Sequence, residues 1–121
     1  MSMRKGTEKE DLRKLIVLCE KSGKRNKVAL WRYAAELLSL PRRRSVVVNV
    51  GKIARILGEN EVALVPGKLL GDGIIERKLR IAAYCWTPTA KKRVEDAGGE
   101  VMCIEKLIEM NPKATNVRIM R

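Results

Sequence analysis

The apolar residues change their spacing along the chain, and each spacing predicts a different element. At the start they recur every three or four positions, which predicts an amphipathic helix. This helix begins at the capping-box pattern Thr7–Glu10 and ends near Ser22 and Gly23. Its apolar face consists of Leu12, Leu15, Ile16 and Cys19.

A second helix is predicted from Val28 to Leu40. Asn26 offers a cap before it, and Pro41 stops it because the residue before a proline is driven out of the helical region. Its apolar residues occupy two faces, as in a largely buried helix. We therefore expect Trp31 to lie in the core and not to stack on a nucleobase.

The residues that follow Pro41 change to a strand pattern. Valine fills four of five positions from Val46 to Val50, and side chains branched at Cβ fit a pleated strand that is buried on both sides. Asn49 and Gly51 then predict a turn and a helix start, and a short helix closed by Gly58 follows.

Short strands and helices alternate through the second half of the chain. The predicted strands are Glu61–Val65, which Pro66 ends, Leu79–Trp86, Glu100–Cys103 and Val117–Met120. The predicted helices are Thr87–Gly99, with a Thr cap and a Gly stop, and Ile104–Met110. This order predicts an α/β fold, a single compact domain over residues 7–121 with two N-terminal helices.

The charge is strongly positive and unevenly placed. The 26 Lys and Arg residues exceed the 14 Asp and Glu residues, which gives a net charge of +12. Residues 1–58 hold 15 basic and 5 acidic side chains, whereas residues 59–121 hold 11 and 9. Such a balance predicts a protein that binds a polyanion, with the binding face in the first half.

Several classes of protein are excluded by the composition. The chain has three cysteines without a CxxC spacing and no histidine, so we expect no metal site, no cofactor and no His-dependent catalysis. We expect the cysteines to be buried free thiols in a reducing compartment. No apolar run is long enough for a signal peptide or for the roughly 20 residues of a membrane span, so we expect a cytoplasmic protein without a membrane partner.

The cations of the first half fall in three short groups. Arg4 and Lys5 lie in residues 1–6, which form either a mobile basic arm or an ordinary frayed terminus. The stretch from Lys21 to Lys27 places four cations in a predicted loop, which is either a solvated surface or part of a site. Arg42–Arg44 are adjacent guanidinium groups that repel one another unless a dense anion lies against them.

Two stretches of the second half also permit a phosphate contact. Residues 66–73 read PGKLLGDG, which is either a glycine-rich hairpin or β-bulge, or a loop whose amides and Lys68 touch phosphate. They do not have the spacing of a Walker A or dinucleotide-binding loop. Lys91, Lys92 and Arg93 lie in the first turns of a helix, where the dipole disfavours cations unless a bound phosphate reverses the sign. Ordinary solvated lysines are the alternative.

The aromatic content indicates which polyanion fits. The chain has no Phe, two Tyr and two Trp, so a module that stacks bases on exposed rings is disfavoured. No predicted helix has the pattern of a helix-turn-helix reader of DNA. A compact domain that grips phosphates with several basic loops suits folded RNA, which presents many phosphates in fixed positions.

Three motifs and the C-terminal stretch resemble those of a known family. PRRRSVVVNVGKIARI, VPGKLLGDG, TPTAKKRVEDAGGEV and the final NPKATNVRIMR resemble the archaeal and eukaryotic large-subunit ribosomal proteins conventionally numbered eighteen, a family related to the C-terminal half of bacterial large-subunit protein fifteen. The resemblance spans about residues 14–121. It implies an irregular superhelix of strands and helices and a structural role on ribosomal RNA. The compact length resembles the archaeal form.

The resemblance also implies which residues matter. The motif positions that match are Trp31, Pro41, Arg42, Arg43, Asn49, Gly51, Pro66, Gly67, Lys68, Gly71 and Gly73. With the basic groups above, we expect RNA contacts from Arg4, Lys5, Lys24, Arg25, Lys27, Arg32, Arg42, Arg43, Arg44, Asn49, Lys52, Lys68, Lys91, Lys92 and Arg93.

The expected partners are large-subunit ribosomal RNA and neighbouring ribosomal proteins. We expect a monomer outside the ribosome and no small-molecule substrate. One alternative is a free-standing RNA-binding regulator or RNA chaperone. The other is an enzyme that uses Lys68, although no convergent carboxylate or nucleophile accompanies that lysine.

Overall fold

Five strands form one parallel sheet with helices on both faces. The structure is a computed structural model that describes residues 9–121, with the side chains of residues 12–41 and 43–121. The helices are α1 (Lys9–Asn26), α2 (Ala29–Leu38), α3 (Val50–Ile56), α4 (Pro88–Asp96) and α5 (Ile104–Met110). The strands are β1 (Val46–Asn49), β2 (Val62–Leu70), β3 (Arg80–Trp86), β4 (Glu100–Cys103) and β5 (Val117–Ile119), and Arg42–Arg44 form a 3₁₀ turn.

The long strand β2 organises the sheet. The order is β1-β2-β3-β4, and every pair is parallel. β5 also pairs with β2, along residues 62–64, while β1 pairs along residues 67–70. Since β3 occupies the other side of β2, the strands β1 and β5 share one edge of it. The α/β prediction is therefore confirmed for the described residues.

Each face of the sheet has its own hydrophobic core. On one face, buried side chains of β2 and β3 such as Val65 and Ile81 pack with residues of α3 and α4. On the opposite face, alternate residues such as Leu64 and Tyr84 pack with α1, α2 and α5. Alternation along a strand sends consecutive side chains to opposite faces, so both cores derive from the same strands.

Trp31 lies in the core, as predicted. Its side chain is 0% exposed, and its indole Nε1 donates a hydrogen bond to the carbonyl oxygen of Pro112 at 2.7 Å. This contact joins α2 to the turn after α5. All three cysteines are free thiols, as predicted, but only Cys19 is buried, because Cys85 and Cys103 are half-buried.

The first helix is longer than predicted. It continues through Gly23 to Asn26, so the expected loop from Lys21 to Lys27 is helical over most of its length. Gly23 does not stop the helix, because its missing side chain makes room for Arg32 of α2, whose Cγ would lie 2.5 Å from an added Cβ. The helix ends at Asn26, because the next residue, Lys27, has a left-handed φ of 55°.

The predicted cap and end of the second helix are also corrected. The amide nitrogen of Asn26 donates to the carbonyl of Ser22 at 3.1 Å, and Val28 occupies the cap position of α2. The side chain of Asn26 therefore serves α1 and not α2. The helix ends at Leu38, before the predicted Leu40, because the Ser39 amide already closes the last turn.

The predicted end of β2 at Pro66 is wrong, since the strand continues to Leu70. The pairing of β2 with β3 shifts register between Val65 and Lys68, so the proline lies within a β-bulge. A proline has no N–H to donate, and at an irregular position the ladder does not need one. Of the alternatives for this stretch, the bulge is present, and the parallel sheet leaves no hairpin.

The valine strand is buried on one face only. β1 pairs with β2 on one side and with no other strand of the described residues. Val46 and Val48 lie in the core beneath α3, but Val47 is 52% exposed. The prediction of two-sided burial is wrong because the helices on the other face do not reach this end of the sheet.

Candidate nucleic-acid interface

The arginine turn lies beside Lys68. Val46, which follows the turn, pairs with Gly67, and Val47 pairs with Lys68. The close approach of β1 requires a glycine, since a Cβ at Gly67 would collide with the carbonyl oxygen of Val46. Gly67 is therefore required for the close packing of β1 against β2. We call Pro41, Arg43, Arg44 and Lys68 the arginine corner.

The cations of the arginine corner face solvent. Arg43, Arg44 and Lys68 are exposed, whereas cations elsewhere are paired, Arg80 with Glu100 and Arg118 with Glu61. No described carboxylate neutralises the corner. Adjacent unpaired cations in and beside a paired strand are disfavoured by mutual repulsion, which a polyanion would relieve.

A second group of cations gathers where α1 meets α2. Lys24 and Arg25 occupy the last turn of α1, Lys27 follows it, and Arg32 lies on α2. All four side chains are exposed. We call these four residues the helix-end cluster. The turn between the helices is held by the Val28 amide, which donates to the carbonyl of Gly23 at 3.0 Å.

One depression connects the two groups. It has a volume of about 510 Å³ and is lined by Lys24 and Arg32 of the helix-end cluster and by Pro41 of the arginine corner. Lys68 points toward the same side of the sheet, because its neighbour Leu69 is buried against α3 and α4. Glu20 and Glu36 also line the depression and equal Lys24 and Arg32 in number, so the excess of positive charge lies around the depression and not in its lining.

The cations of α4 lie on the other side of the molecule. α4 covers the face of the sheet opposite α1 and α2, so Lys91, Lys92 and Arg93 do not join the arginine corner. The guanidinium of Arg93 donates to the carbonyl of Gly73 at 2.8 Å. Lys91 is half-buried, and Lys92 is exposed.

The start of α4 offers little space for a phosphate. The hydroxyl oxygen of Thr87 accepts from the Ala90 amide at 3.2 Å, so one amide of the first turn is already capped. The backbone of Gly71 lies against this turn, since an added Cβ would be 2.8 Å from the Ala90 nitrogen. Gly71 allows the backbone to pack closely against the start of α4. This geometry does not support the hypothesis that a phosphate binds at this helix start.

Asn49 and Lys52 have partly internal roles. The Asn49 side-chain oxygen is buried without a hydrogen-bond partner, although the residue occupies the cap position of α3. The ammonium of Lys52 donates to the carbonyl of Arg121 at 2.7 Å. The guanidinium of Arg121 in turn donates to the Tyr33 hydroxyl, so the last residue joins α2 to α3. Sequence reasoning missed this connection because no local pattern indicates it.

Three predicted residues stand apart. Arg4 and Lys5 lie outside the described residues, and the position of the Arg42 side chain is not described. Their predicted contacts remain predictions, as do those of the other cations.

Among the described helices, none has the length and apolar character to span a membrane.

Comparison with known proteins gives consistent matches along the chain. Residues 4–121 match the family described as ribosomal protein 60S L18 and 50S L18e. The large ribosomal subunit protein eL18 of Methanopyrus kandleri is 44% identical over 119 residues, which cover 94% of each chain. The eL18 proteins of Pyrobaculum aerophilum and Methanoregula boonei are 40% and 39% identical, and the matches cover 94% and 91% of this chain and 93% and 91% of theirs.

Proposed function

Because the chain belongs to the family of ribosomal proteins 60S L18 and 50S L18e, we propose that it is a structural constituent of the large ribosomal subunit and binds ribosomal RNA there. The resemblance drawn from the motifs is thereby confirmed. The first two relatives are named large ribosomal subunit protein eL18. The alignment with this chain covers 94% and 93% of their lengths. The proposal places the protein in cytoplasmic ribosomes.

The observation that carries the RNA-binding proposal is the adjacency of the arginine corner and the helix-end cluster. Lys24 and Arg32 of the helix-end cluster line the same depression as Pro41, the first residue of the arginine corner, and Lys68 joins the corner through the pairing of β1 with β2. Phosphates of a folded RNA would relieve the repulsion among these cations and release the counterions that they hold. The protein would hold RNA segments together by charge neutralisation, and this role needs no catalytic step.

The first test is whether the chain travels with ribosomes. A tagged full-length chain should co-sediment with large subunits in a sucrose gradient at physiological salt. A chain that remains at the top of the gradient would contradict the proposal and would instead support a free-standing RNA-binding regulator or chaperone.

The second test separates the arginine corner from other surface cations. Arg43→Ala combined with Lys68→Ala should lower the affinity for a large-subunit RNA fragment by on the order of a hundredfold or more, since charge-assisted contacts contribute about 1.5–3 kcal/mol each. The matched control is Lys106→Ala with Lys113→Ala, two exposed cations on α5 and the turn after it. Equal losses in both double variants would show that binding depends on net charge alone.

A further inference from the structure

Arg121 lies between the end of β5 and the start of β1. Ile119 of β5 pairs with Leu64 of β2. On the same edge of β2, Val46 of β1 pairs with Gly67. The two strand ends are therefore three residues of β2 apart, or about 10 Å. The chain after β5 enters this interval, so Arg121 comes close to the start of β1.

This position places Arg121 beside the arginine corner. The arginine turn ends at Arg44, and a single residue separates it from Val46, where β1 begins. Arg121 is exposed, and no carboxylate of the described residues forms an ion pair with it, whereas Arg118 of β5 pairs with Glu61. The fold thus brings a further unpaired guanidinium to the same corner from the other end of the sequence.

Two contacts hold Arg121 in place. The guanidinium donates a hydrogen bond to the hydroxyl of Tyr33 on α2. The ammonium of Lys52 on α3 donates to the main-chain oxygen of Arg121 at 2.7 Å. Tyr33 is itself half-buried and packs against the core, so the hydroxyl is a fixed acceptor. The side chain and the main chain of Arg121 are therefore both restrained by residues of the two flanking helices.

The remaining donors of this guanidinium suit a phosphate. A guanidinium carries five N–H donors and no acceptor, and the contact with Tyr33 uses one of them. Its planar fork matches two oxygens of a phosphate, and its charge favours an anion. A side chain that is already restrained loses less conformational entropy on binding, so the contacts with Tyr33 and Lys52 prepare Arg121 for a phosphate.

We propose that Arg121 binds a phosphate of the RNA next to the arginine corner, and that Tyr33 and Lys52 are positioning residues for it. This inference rests on the proposed function, since it adds a contact to the same RNA surface. It also changes the role predicted for Lys52, which acts through the main chain of Arg121. No local motif indicates the site, because its three members come from α2, α3 and the residues after β5.

The test measures the affinity of the full-length chain for a large-subunit RNA fragment, together with the melting temperature of each variant. Arg121→Ala should lower the affinity by on the order of tenfold, since the contact is charge-assisted. The matched control is Arg118→Ala, which removes the same charge from a residue that is paired with Glu61 at 3.7 Å. This control should retain most of the affinity.

A double-mutant cycle tests the positioning role. Tyr33→Phe keeps the ring but removes the hydroxyl, and it should lower the affinity of the parent chain by about threefold, as the loss of one neutral hydrogen bond does. It should have no further effect when Arg121 is already alanine. Lys52→Ala should show the same dependence on Arg121. Losses that add up independently would overturn the positioning role, because each residue would then act without Arg121.

The failure of this inference is distinguishable from the failure of the proposed function. If the parent chain binds the RNA fragment and Arg121→Ala binds it equally well, the inference alone is overturned. Equal losses in Arg121→Ala and Arg118→Ala overturn it too, because binding would then depend on net charge. If the parent chain does not bind the fragment, both fail. Arg121→Gln keeps a donor for Tyr33 without the charge, and it replaces Arg121→Ala if that variant does not fold.

Discussion

Position 67 requires glycine because the neighbouring strand β1 leaves no room for a side chain. The Val46 carbonyl oxygen occupies the space where a Cβ would lie, and both residues belong to paired backbones that cannot move apart without breaking the sheet. Gly67→Ala should therefore lower the free energy of unfolding by about 1–3 kcal/mol, as overpacking typically does. Denaturant unfolding measures this, with Gly58→Ala as the control, because the nearest group there is the flexible Glu61 carboxylate. A loss at Gly67 no larger than at Gly58 would contradict this account.

The thiol of Cys19 should be protected by its surroundings. Burial raises its pKa to about 12, and the negative charges of Glu105 and Glu20 act in the same direction. The thiolate is the reactive form, so iodoacetamide at pH 8 should label the half-buried Cys85 and Cys103 before Cys19. Labelling in guanidinium chloride, where all three should react alike, provides the control. Early loss of the Cys19 thiol in the native protein would contradict this prediction.

The same shift in pKa links Cys19 to stability at high pH. The folded state holds the proton more tightly than the unfolded state, so the contribution of the thiol is fully present below about pH 9 and declines as the pH rises toward about 12. Cys19→Ala should remove this part of the decline. Denaturation of both chains at pH 8 and pH 10.5 measures the difference, and an identical pH dependence would show that the shift is absent.

Among the elements, α4 has a cap that can be tested directly. The Thr87 hydroxyl oxygen accepts from the Ala90 amide, and Pro88 fills the first helical position. Thr87→Ala should cost about 1 kcal/mol of stability, whereas Thr87→Ser keeps the acceptor and should cost less. Thermal unfolding of the two variants measures the difference. Equal melting temperatures would mean that the hydroxyl is dispensable.

Helix α4 and strand β4 were predictable because their signals are local. Thr87, Pro88 and Gly98 mark the two ends of α4 within the sequence itself. Gly23 and Pro66 misled the prediction for the opposite reason. Each resembles a local stop, but Gly23 accommodates the side chain of Arg32 and Pro66 lies in a bulge between paired strands. Whether a glycine or proline ends an element depends on what packs against it, and a single sequence does not contain that information.

For the whole molecule, the sequence revealed which residues are basic but not how they are grouped. The excess of positive charge in residues 1–58 pointed to the first half, and most of the helix-end cluster and arginine corner come from it. Lys68 joins them only because Val47 and Lys68 are paired in the sheet. Lys91, Lys92 and Arg93 were expected with the same function, yet the fold places α4 on the opposite face. Which face of the sheet a helix covers is a property of the assembled fold, and the local sequence does not indicate it.

The grouping of cations leads to a prediction about salt. Each cation that meets a phosphate contributes roughly 0.7–0.9 to the slope of log affinity against log salt concentration. Substituting Lys24, Arg32, Arg43 and Lys68 by alanine should therefore reduce that slope by about 3 for a large-subunit RNA fragment. The melting temperature should change little, because exposed charges contribute little to stability. A control in which Lys78, Lys106, Lys113 and Arg118 are substituted removes the same charge from exposed positions elsewhere and should retain most of the slope. If both variants lost it equally, the RNA would be sensing the overall charge of +12 and not the surface that the fold assembles.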